Sequence, residues 1–398
     1  MITDFLSYLL SLETKGIKLG LDRTHNILSA CGNPHHTIKT VQVVGTNGKG
    51  STSAIIANIC RHAGYTVGLY TSPHLNKINE RIRINGDTIS DSNMIEFINL
   101  YQKEIDSLNI SFFEAMTALA LWYFNNKNVD IAILETGLGG RLDSVSVCKP
   151  ELIVFTPISL DHQHILGNSI EEIAYEKAGA MKDGVRCISS QQKQAVKNIL
   201  NSHASQLNTS VEYVDTNINK FVNLNGQHQI MNAALAIQSI KNLIEFNITD
   251  LHISEGLKNV QWPARIQKIC DKPLTFFDVA HNETSFLYLC DFINSSNIKN
   301  YKILIIALQE HKHLHSALEL ILNTFDSIII TQTNTRNFLS INKLNKLFNS
   351  PKTQLIANPE KAIRDYKTRS KEDCIVIAGS HYLGPIINKI FKISFEKI

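Results

Sequence analysis

Short runs of β-branched and other apolar residues alternate along this chain with stretches long enough for several helical turns, a rhythm that suits a parallel sheet with crossover helices. Three of the runs, TVQVV (40–44), VDIAIL (129–134) and LIVFTPI (152–158), read as strands buried on both faces. Between them EAMTALALWYF (114–124) and SIEEIAYEKAGAM (169–181) read as helices, and Asn85-Gly86 within ERIRINGDTIS predicts a hairpin turn. A second series, LTFFDVA, YKILIIAL, DSIIITQT and CIVIAGS, begins near Lys272. At 398 residues the chain exceeds what one hydrophobic core serves. The expectation is therefore an α/β protein of two domains, residues 1–270 and 271–398, joined near Cys270–Pro273.

Charge narrows the partners. A net +3 is too mild to demand nucleic acid or an anionic membrane, though it leaves room for a local basic site. The seven cysteines are odd in number, scattered and without a C-x-x-C pair, so they read as buried thiols in a reducing compartment. The opening MITDFLSYLLSLETKG carries Asp4 and lacks a basic leader, and no apolar run reaches the length of a membrane span. The expectation is a cytoplasmic enzyme or binding protein.

In open parallel sheets, ligands sit beyond the carboxyl ends of the strands. Three such ends are polar here. TVQVV runs into GTNGKGS, with Lys49 and Ser51. VDIAIL runs into Glu135 and TGLGGRLD, and LIVFTPI into SLDHQH, with Asp161, His162 and His164. The glycine loop departs from the strict phosphate-loop pattern: Val43 stands where the first glycine belongs, and Gly50 is inserted between Lys49 and Ser51. Backbone N–H groups at a helix N-terminus nevertheless suit phosphate oxygens, a lysine adds charge, and a hydroxyl suits the Mg²⁺ that accompanies a nucleotide. Taken singly, Glu135 reads equally as a capping acid and Asp161 or His162 as a turn residue. Their shared sheet edge favours a magnesium-nucleotide site.

Ordered motifs then extend through most of the chain: LGLDR (19–23), GTNGKGS (45–51), TSPHL (71–75), NERIRING (79–86), FFEAMTALA (112–120), ETGLGGRLD (135–143), LDHQHILG (160–167), EKAGAMKDG (176–184), GQHQIMNAALA (226–236), WPARIQ (262–267) and DVAHNETS (278–285). This set resembles the folylpolyglutamate synthase/dihydrofolate synthase family, within the Mur ligase group of ATP-dependent amide-forming enzymes. The resemblance implies a P-loop-type parallel-sheet ATPase domain followed by a smaller Rossmann-like α/β domain. It also implies a reaction in which ATP phosphorylates a pterin-bearing carboxylate and L-glutamate displaces the phosphate.

By that resemblance Gly45, Thr46, Asn47, Gly48, Lys49, Gly50 and Ser51 cradle ATP, joined by Asn232, Arg265 and Asp278. Ser51, Ser72, Glu135 and His162 hold Mg²⁺, and Lys177 matches the family's carbamylated lysine. Lys49, His162, Lys177 and the cleft histidine His281 are the candidate catalytic residues. Leu19, Gly20, Phe113, Glu114, Leu142 and Asp143 are the candidate pterin contacts. The implied partners are small molecules, and the implied internal cleft makes a monomer the expectation.

Some motifs depart from the family pattern. RLDSVSV replaces RLDATN, DVAHNETS replaces DGAHNP, and IIALQEHKH stands where GAMxDKD is usual, which reads as the loss of an acidic, lysine-bearing turn. Two alternatives follow: a ligase acting on a nucleotide-linked muramyl acid, against which LGLDR and FFEAMT argue, or a nucleotide-binding homologue that regulates without catalysis.

Overall fold

The computed structural model describes residues 2–16, 18, 20–215, 220–310, 312, 314, 316–333, 338–369 and 371–398. The first sheet comprises β1 (Thr40–Val44), β2 (Val67–Tyr70), β3 (Ile82–Ile84), β4 (Asp87–Thr88), β5 (Ile131–Glu135), β6 (Leu152–Phe155), β7 (Arg186–Ser189) and β8 (Val211–Tyr213). Their spatial order is β4-β3-β2-β5-β1-β6-β7-β8. All neighbours are parallel except the β2–β3 and β3–β4 pairs, so the expected hairpin lies at one edge. Its turn places Asn85 at φ 51° and Gly86 at φ 91°, the left-handed region a two-residue turn requires.

β1 is the central strand, with Val41 opposite Leu152 on one side and Thr40 opposite Ala132 on the other. The two faces of the sheet around it serve separate cores. Val41 and Val43 pack with Ile131, Ile133 and the helices Lys49–His62, Gln227–Asn242 and Asp250–Asn259. Across the sheet, Ala132, Leu134 and Tyr70 pack with Asp22–Ala30, Asp91–Ser107 and Phe112–Asn126. Gln42, polar within a buried strand, stays satisfied by donating to Thr136 Oγ1 and Ser146 Oγ.

The second sheet contains β9 (Gln267–Asp271), β10 (Leu274–Phe277), β11 (Lys302–Ile306), β12 (Ser327–Ile330), β13 (Thr353–Leu355) and β14 (Cys374–Ala378), in the order β13-β12-β11-β14-β10-β9. The α/β class and the parallel character of both sheets match the expectation. Two strands were not legible: β13 is short and largely exposed, and β9 is polar and half-exposed, so neither carries an apolar signature. β9 matters for the domain limit. The expected junction after residue 270 falls inside it, yet its partner is β10, to which it runs antiparallel. We therefore propose a division ahead of Gln267. Residues near the end of the sequence return to the first sheet: the buried Arg83 donates to the carbonyls of Phe395 and Glu396, each at 2.6 Å, and Asp87 bridges Lys397.

Candidate active site

The glycine loop follows β1 and opens the helix Lys49–His62, whose N-cap Gly48 sits at φ 87°. Steric demand explains the loop's composition. A Cβ at Gly48 would stand 2.4 Å from Asn232 Oδ1, and one at Gly50 would stand 2.9 Å from Trp262 Nε1. The helix is buried almost all round beneath Gln227–Asn242 and Asp250–Asn259, so the loop is fixed on a rigid base.

This loop forms one wall of a cavity of about 320 Å³ between the two sheets. Gly45, Thr46, Asn47, Gly48, Lys49, Gly50 and Ser51 line it, as do Ser72, Glu135, His162 and Lys177. From the helix Gln227–Asn242, the segment before β9 and the residues after β10 come Asn232, Arg265, Asp278 and His281. Residues predicted as cofactor, metal and catalytic groups are thus gathered in one place.

Cations converge here. Lys49 Nζ donates to the carbonyls of Gly45 and Thr46, at 3.1 and 3.2 Å, and Lys177 Nζ donates to the same Gly45 carbonyl at 2.7 Å. Burial lowers the Lys49 pKa, while Glu135 and Asp161 oppose the shift. Burial, assisted by the Lys49 charge, brings Lys177 down to about 7. That value leaves much of the amine neutral near neutral pH, the form that reacts with CO₂, so the residue fits a carbamate. Burial likewise pushes the Glu135 carboxyl up, against the pull of Lys49 and a hydrogen bond from Ser72 N at 3.2 Å.

Magnesium was expected on Ser51, Ser72, Glu135 and His162. Among the described residues no group of three or more His, Cys, Asp or Glu cages a metal. Magnesium does not require such a cage, because it usually keeps waters and shares phosphate oxygens with one or two carboxylates. Two observations fit it. Ser51 Oγ is buried without a hydrogen-bond partner, and burial lowers His162 to about 3, leaving its imidazole neutral. His162 is held in the left-handed region, at φ 51°, by Asp161 Oδ1, which accepts from its backbone N–H at 2.8 Å.

Asp161 also ties the two domains together. Its Oδ1 accepts from Lys312 Nζ at 2.7 Å, and its Oδ2 accepts from Asn282 Nδ2, which also donates to Asn47 in the glycine loop at 3.0 Å. Burial alone would raise Asp161, but Lys312 and the His281 imidazole at 3.7 Å outweigh it and hold the carboxyl well below the usual range. The motif IIALQEHKH read as the loss of a lysine-bearing turn. That expectation needs correction, since Lys312 lines the cavity and is paired with Asp161.

Asp278 was expected to touch ATP. Its oxygens accept from Ile266 N at 2.7 Å and Ala280 N at 2.6 Å, so the carboxylate holds the turn that presents Arg265. Ala264 and Ile266 both have positive φ, 57° and 44°, a strained arrangement that these bonds stabilise.

The expected pterin contacts divide. Phe113 is 38% exposed and lines the cavity, with the Arg81 guanidinium 5.6 Å from its ring centre, while Phe112 is in the core. Glu114 does not line the cavity: it accepts from Arg23 Nε at 2.9 Å and from Ser111 N and Oγ at 2.7 Å, capping its helix. Asp143 is similarly engaged, accepting from Leu138 N and Val145 N. Gly20 and Leu142 are not among the lining residues, and Leu19 lies outside the described residues.

Further lining residues were not singled out as site residues: His228, although it lies in the motif GQHQIMNAALA, Tyr288 on the helix Glu283–Ser295, and Ser380 and His381 after β14. The strand-end rule that exposed Glu135 and Asp161 would have found the last two.

Residues 43–183 match the family model described as the Mur ligase middle domain. The chain is 37% identical over 308 residues to the dihydrofolate synthase/folylpolyglutamate synthase of Bacillus subtilis, covering 67% of this chain and 70% of that protein. The structure of a folylpolyglutamate synthase from Thermotoga maritima is similar over 99% of both chains, with a TM-score of 0.82 and 29% identity. That of E. coli FolC in complex with DHPP and ADP is similar over 98% of this chain and 97% of that one, with a TM-score of 0.88 and 25% identity.

Proposed function

This chain belongs to the folylpolyglutamate synthase/dihydrofolate synthase family, and from that premise we propose that it joins L-glutamate to dihydropteroate, to a reduced folate, or to both, through an acyl phosphate. It is an ATP-dependent ligase that adds glutamate. The observation that carries the assignment of roles is the convergence of Lys49, Lys177, Arg265 and Lys312, from separate elements, on one cavity that also holds the loop N–H groups.

A carboxylate and a triphosphate repel each other, so cations must gather both before an oxygen can reach the γ-phosphorus. The N–H groups of Gly48 and Gly50 with Lys49 bind the β- and γ-phosphates, and Arg265 approaches from the second-domain side. Ser51, Ser72, Glu135 and His162 would hold magnesium, which when bound neutralises charge on the phosphate oxygens. A carbamate on Lys177 would turn a cation into an anion beside that ion. The phosphorylated carboxyl then meets the glutamate amine, which must first lose a proton.

His281 suits that proton. Its Nδ1 is 2.8 Å from the Val279 carbonyl, which can only accept, so Nδ1 carries a proton, and in the neutral form of the ring Nε2 is the nitrogen that takes up another. Asp161, 3.7 Å from Nε2, stabilises the resulting imidazolium. Collapse expels phosphate and leaves the amide, with ADP the other product. The contacts of Asp161 with Lys312 and Asn282 hold the two domains together at this site, and a closed cleft would protect the acyl phosphate from water.

No helix among the described residues is long and apolar enough to cross a membrane. A cytoplasmic monomer is part of the same proposal. The test is glutamate-dependent ADP release with dihydropteroate and with tetrahydrofolate, read alongside the mass of a new amide. Release and a new mass with either acid are expected. ADP binding without turnover on both acids would favour a regulatory homologue instead.

A further inference from the structure

Asn282 caps the helix Glu283–Ser295 and is 5% exposed, yet its side chain reaches partners in both domains. Its Oδ1 accepts from Ser285 N at 3.0 Å, the capping bond. Its Nδ2 donates to Asn47 Oδ1 in the phosphate loop at 3.0 Å and to Asp161 Oδ2 at 3.1 Å. A backbone N–H can only donate and an ionised carboxylate can only accept, so the amide has one possible orientation and both its side-chain N–H groups are used.

Each of these partners leads to a reacting group. Asn47 precedes Gly48 and Lys49, and its own Nδ2 donates to Ser159 Oγ at 3.3 Å. Thr46 and Ser159 exchange a further pair of bonds, each at 3.1 Å, which fastens the phosphate loop to the segment after β6. On the second-domain side, Ser285 Oγ accepts from the backbone N–H groups of His281 and Asn282, both at 3.0 Å, and so fixes the chain that carries the imidazole. Asp161 Oδ2, the oxygen to which Asn282 donates, also faces His281 Nε2 at 3.7 Å. One buried amide therefore connects the phosphate loop with the histidine assigned the amine's proton.

These three partners demand an asparagine. Aspartate has the same length and caps a helix equally well, but it cannot donate, and it would set a second negative charge against Asp161. Alanine supplies neither the cap nor the donor.

We propose that Asn282 is a positioning residue that interlocks the phosphate loop with His281, so that phosphoryl transfer and attack by the amine stay coupled. The proposal rests on the ligase reading above and deepens it. With the interlock broken, Lys49 and the loop N–H groups still support formation of the acyl phosphate, but the base is no longer held beside it. Water then attacks the acyl carbon in place of the amine, and the carbon–oxygen bond to the phosphate breaks. The starting carboxylate and inorganic phosphate leave, a proton passes to solvent, and ATP has been hydrolysed with no amide formed.

The experiment uses the full chain and its Asn282→Asp, Asn282→Ala, Asn47→Ala and doubly substituted Asn47→Ala/Asn282→Ala variants, with ADP and the new amide measured in the same samples. The wild type should release one ADP per amide. Asn282→Asp should lose at least about tenfold in kcat for the amide, the effect of losing a hydrogen bond to a charged group. Its KM for ATP should stay near the wild-type value, and its ADP release should exceed its amide yield. Asn282→Ala should show the same excess. In chemical denaturation the two alanine substitutions should be non-additive, the double variant losing less stability than the single losses combined.

A helix cap alone predicts otherwise, because aspartate would replace asparagine without loss. Amide formation by Asn282→Asp at the wild-type rate therefore overturns the proposal. So does a slowed variant that still releases one ADP per amide, or an additive denaturation cycle. If the wild type forms no amide with either acid, the ligase reading fails by itself, while the denaturation cycle still decides whether Asn47 and Asn282 are interlocked.

Discussion

Gly48→Ala tests whether the phosphate loop is shaped by its contact with Asn232. Gly48 sits at φ 87°, where a residue with a Cβ is disfavoured by about 1–2 kcal/mol. The new methyl would also stand 2.4 Å from Asn232 Oδ1, closer than real Cβ contacts allow. Asn232 would have to turn, giving up its bond to Gln229, which costs about 1 kcal/mol. Together the strain and the lost bond amount to about 2–3 kcal/mol.

The assay is a double-mutant cycle with Asn232→Ala, read by chemical denaturation and by ADP affinity. Gly48→Ala should cost about 2–3 kcal/mol in the wild-type background and about 1 kcal/mol less when Asn232 is already alanine. ADP affinity should fall at least about tenfold in the single variant, because both residues line the cavity. Equal costs in the two backgrounds would refute the clash and leave backbone strain alone.

Lys177, lowered to about 7 by burial, gains a proton as the pH falls through that value, so carbamate formation should fail progressively below it. Activity at pH 6 in CO₂-depleted buffer should drop and recover with added bicarbonate, and an activity indifferent to bicarbonate at every pH would remove the carbamate. Burial holds His74 at about 3 and His228 at about 4 in the folded protein, against 6.5 when exposed. The unfolded chain therefore binds more protons below pH 6.5, and stability, full above that pH, should decline towards pH 4 by about 1–2 kcal/mol per histidine at pH 5, as denaturation midpoints would record. Arg83→Ala removes charged donors from the carbonyls of Phe395, Glu396 and Gly86. It should destabilise the protein by about 3 kcal/mol, and a melting temperature within a degree of wild type would show that the returning segment contributes little.

Periodicity recorded the folding of the strands well. β5 and β6 are apolar on both faces because helices cover both, and that local demand is written into consecutive residues. The glycine loop was legible for the same reason, since Gly48 needs a left-handed backbone and close approach to Asn232. Glu114 and Asp143 were legible only as residue types. Their use as helix caps followed from which backbone N–H groups lay within reach. β9 was missed because an antiparallel edge strand needs only one partner and carries little apolar pattern.

Sequence by itself determined the layered α/β architecture and the residues available at the strand ends. Tertiary structure decided their chemistry. A lysine at a helix end reads as solvated, yet Lys177 is 5% exposed, and burial beside Lys49 lowers its pKa to about 7. Lys312 looked lost with its motif until the second domain laid it on Asp161. Helix and strand preference depends on near neighbours in the chain, whereas desolvation and charge pairing depend on groups more than a hundred residues away, brought near only by the tertiary fold.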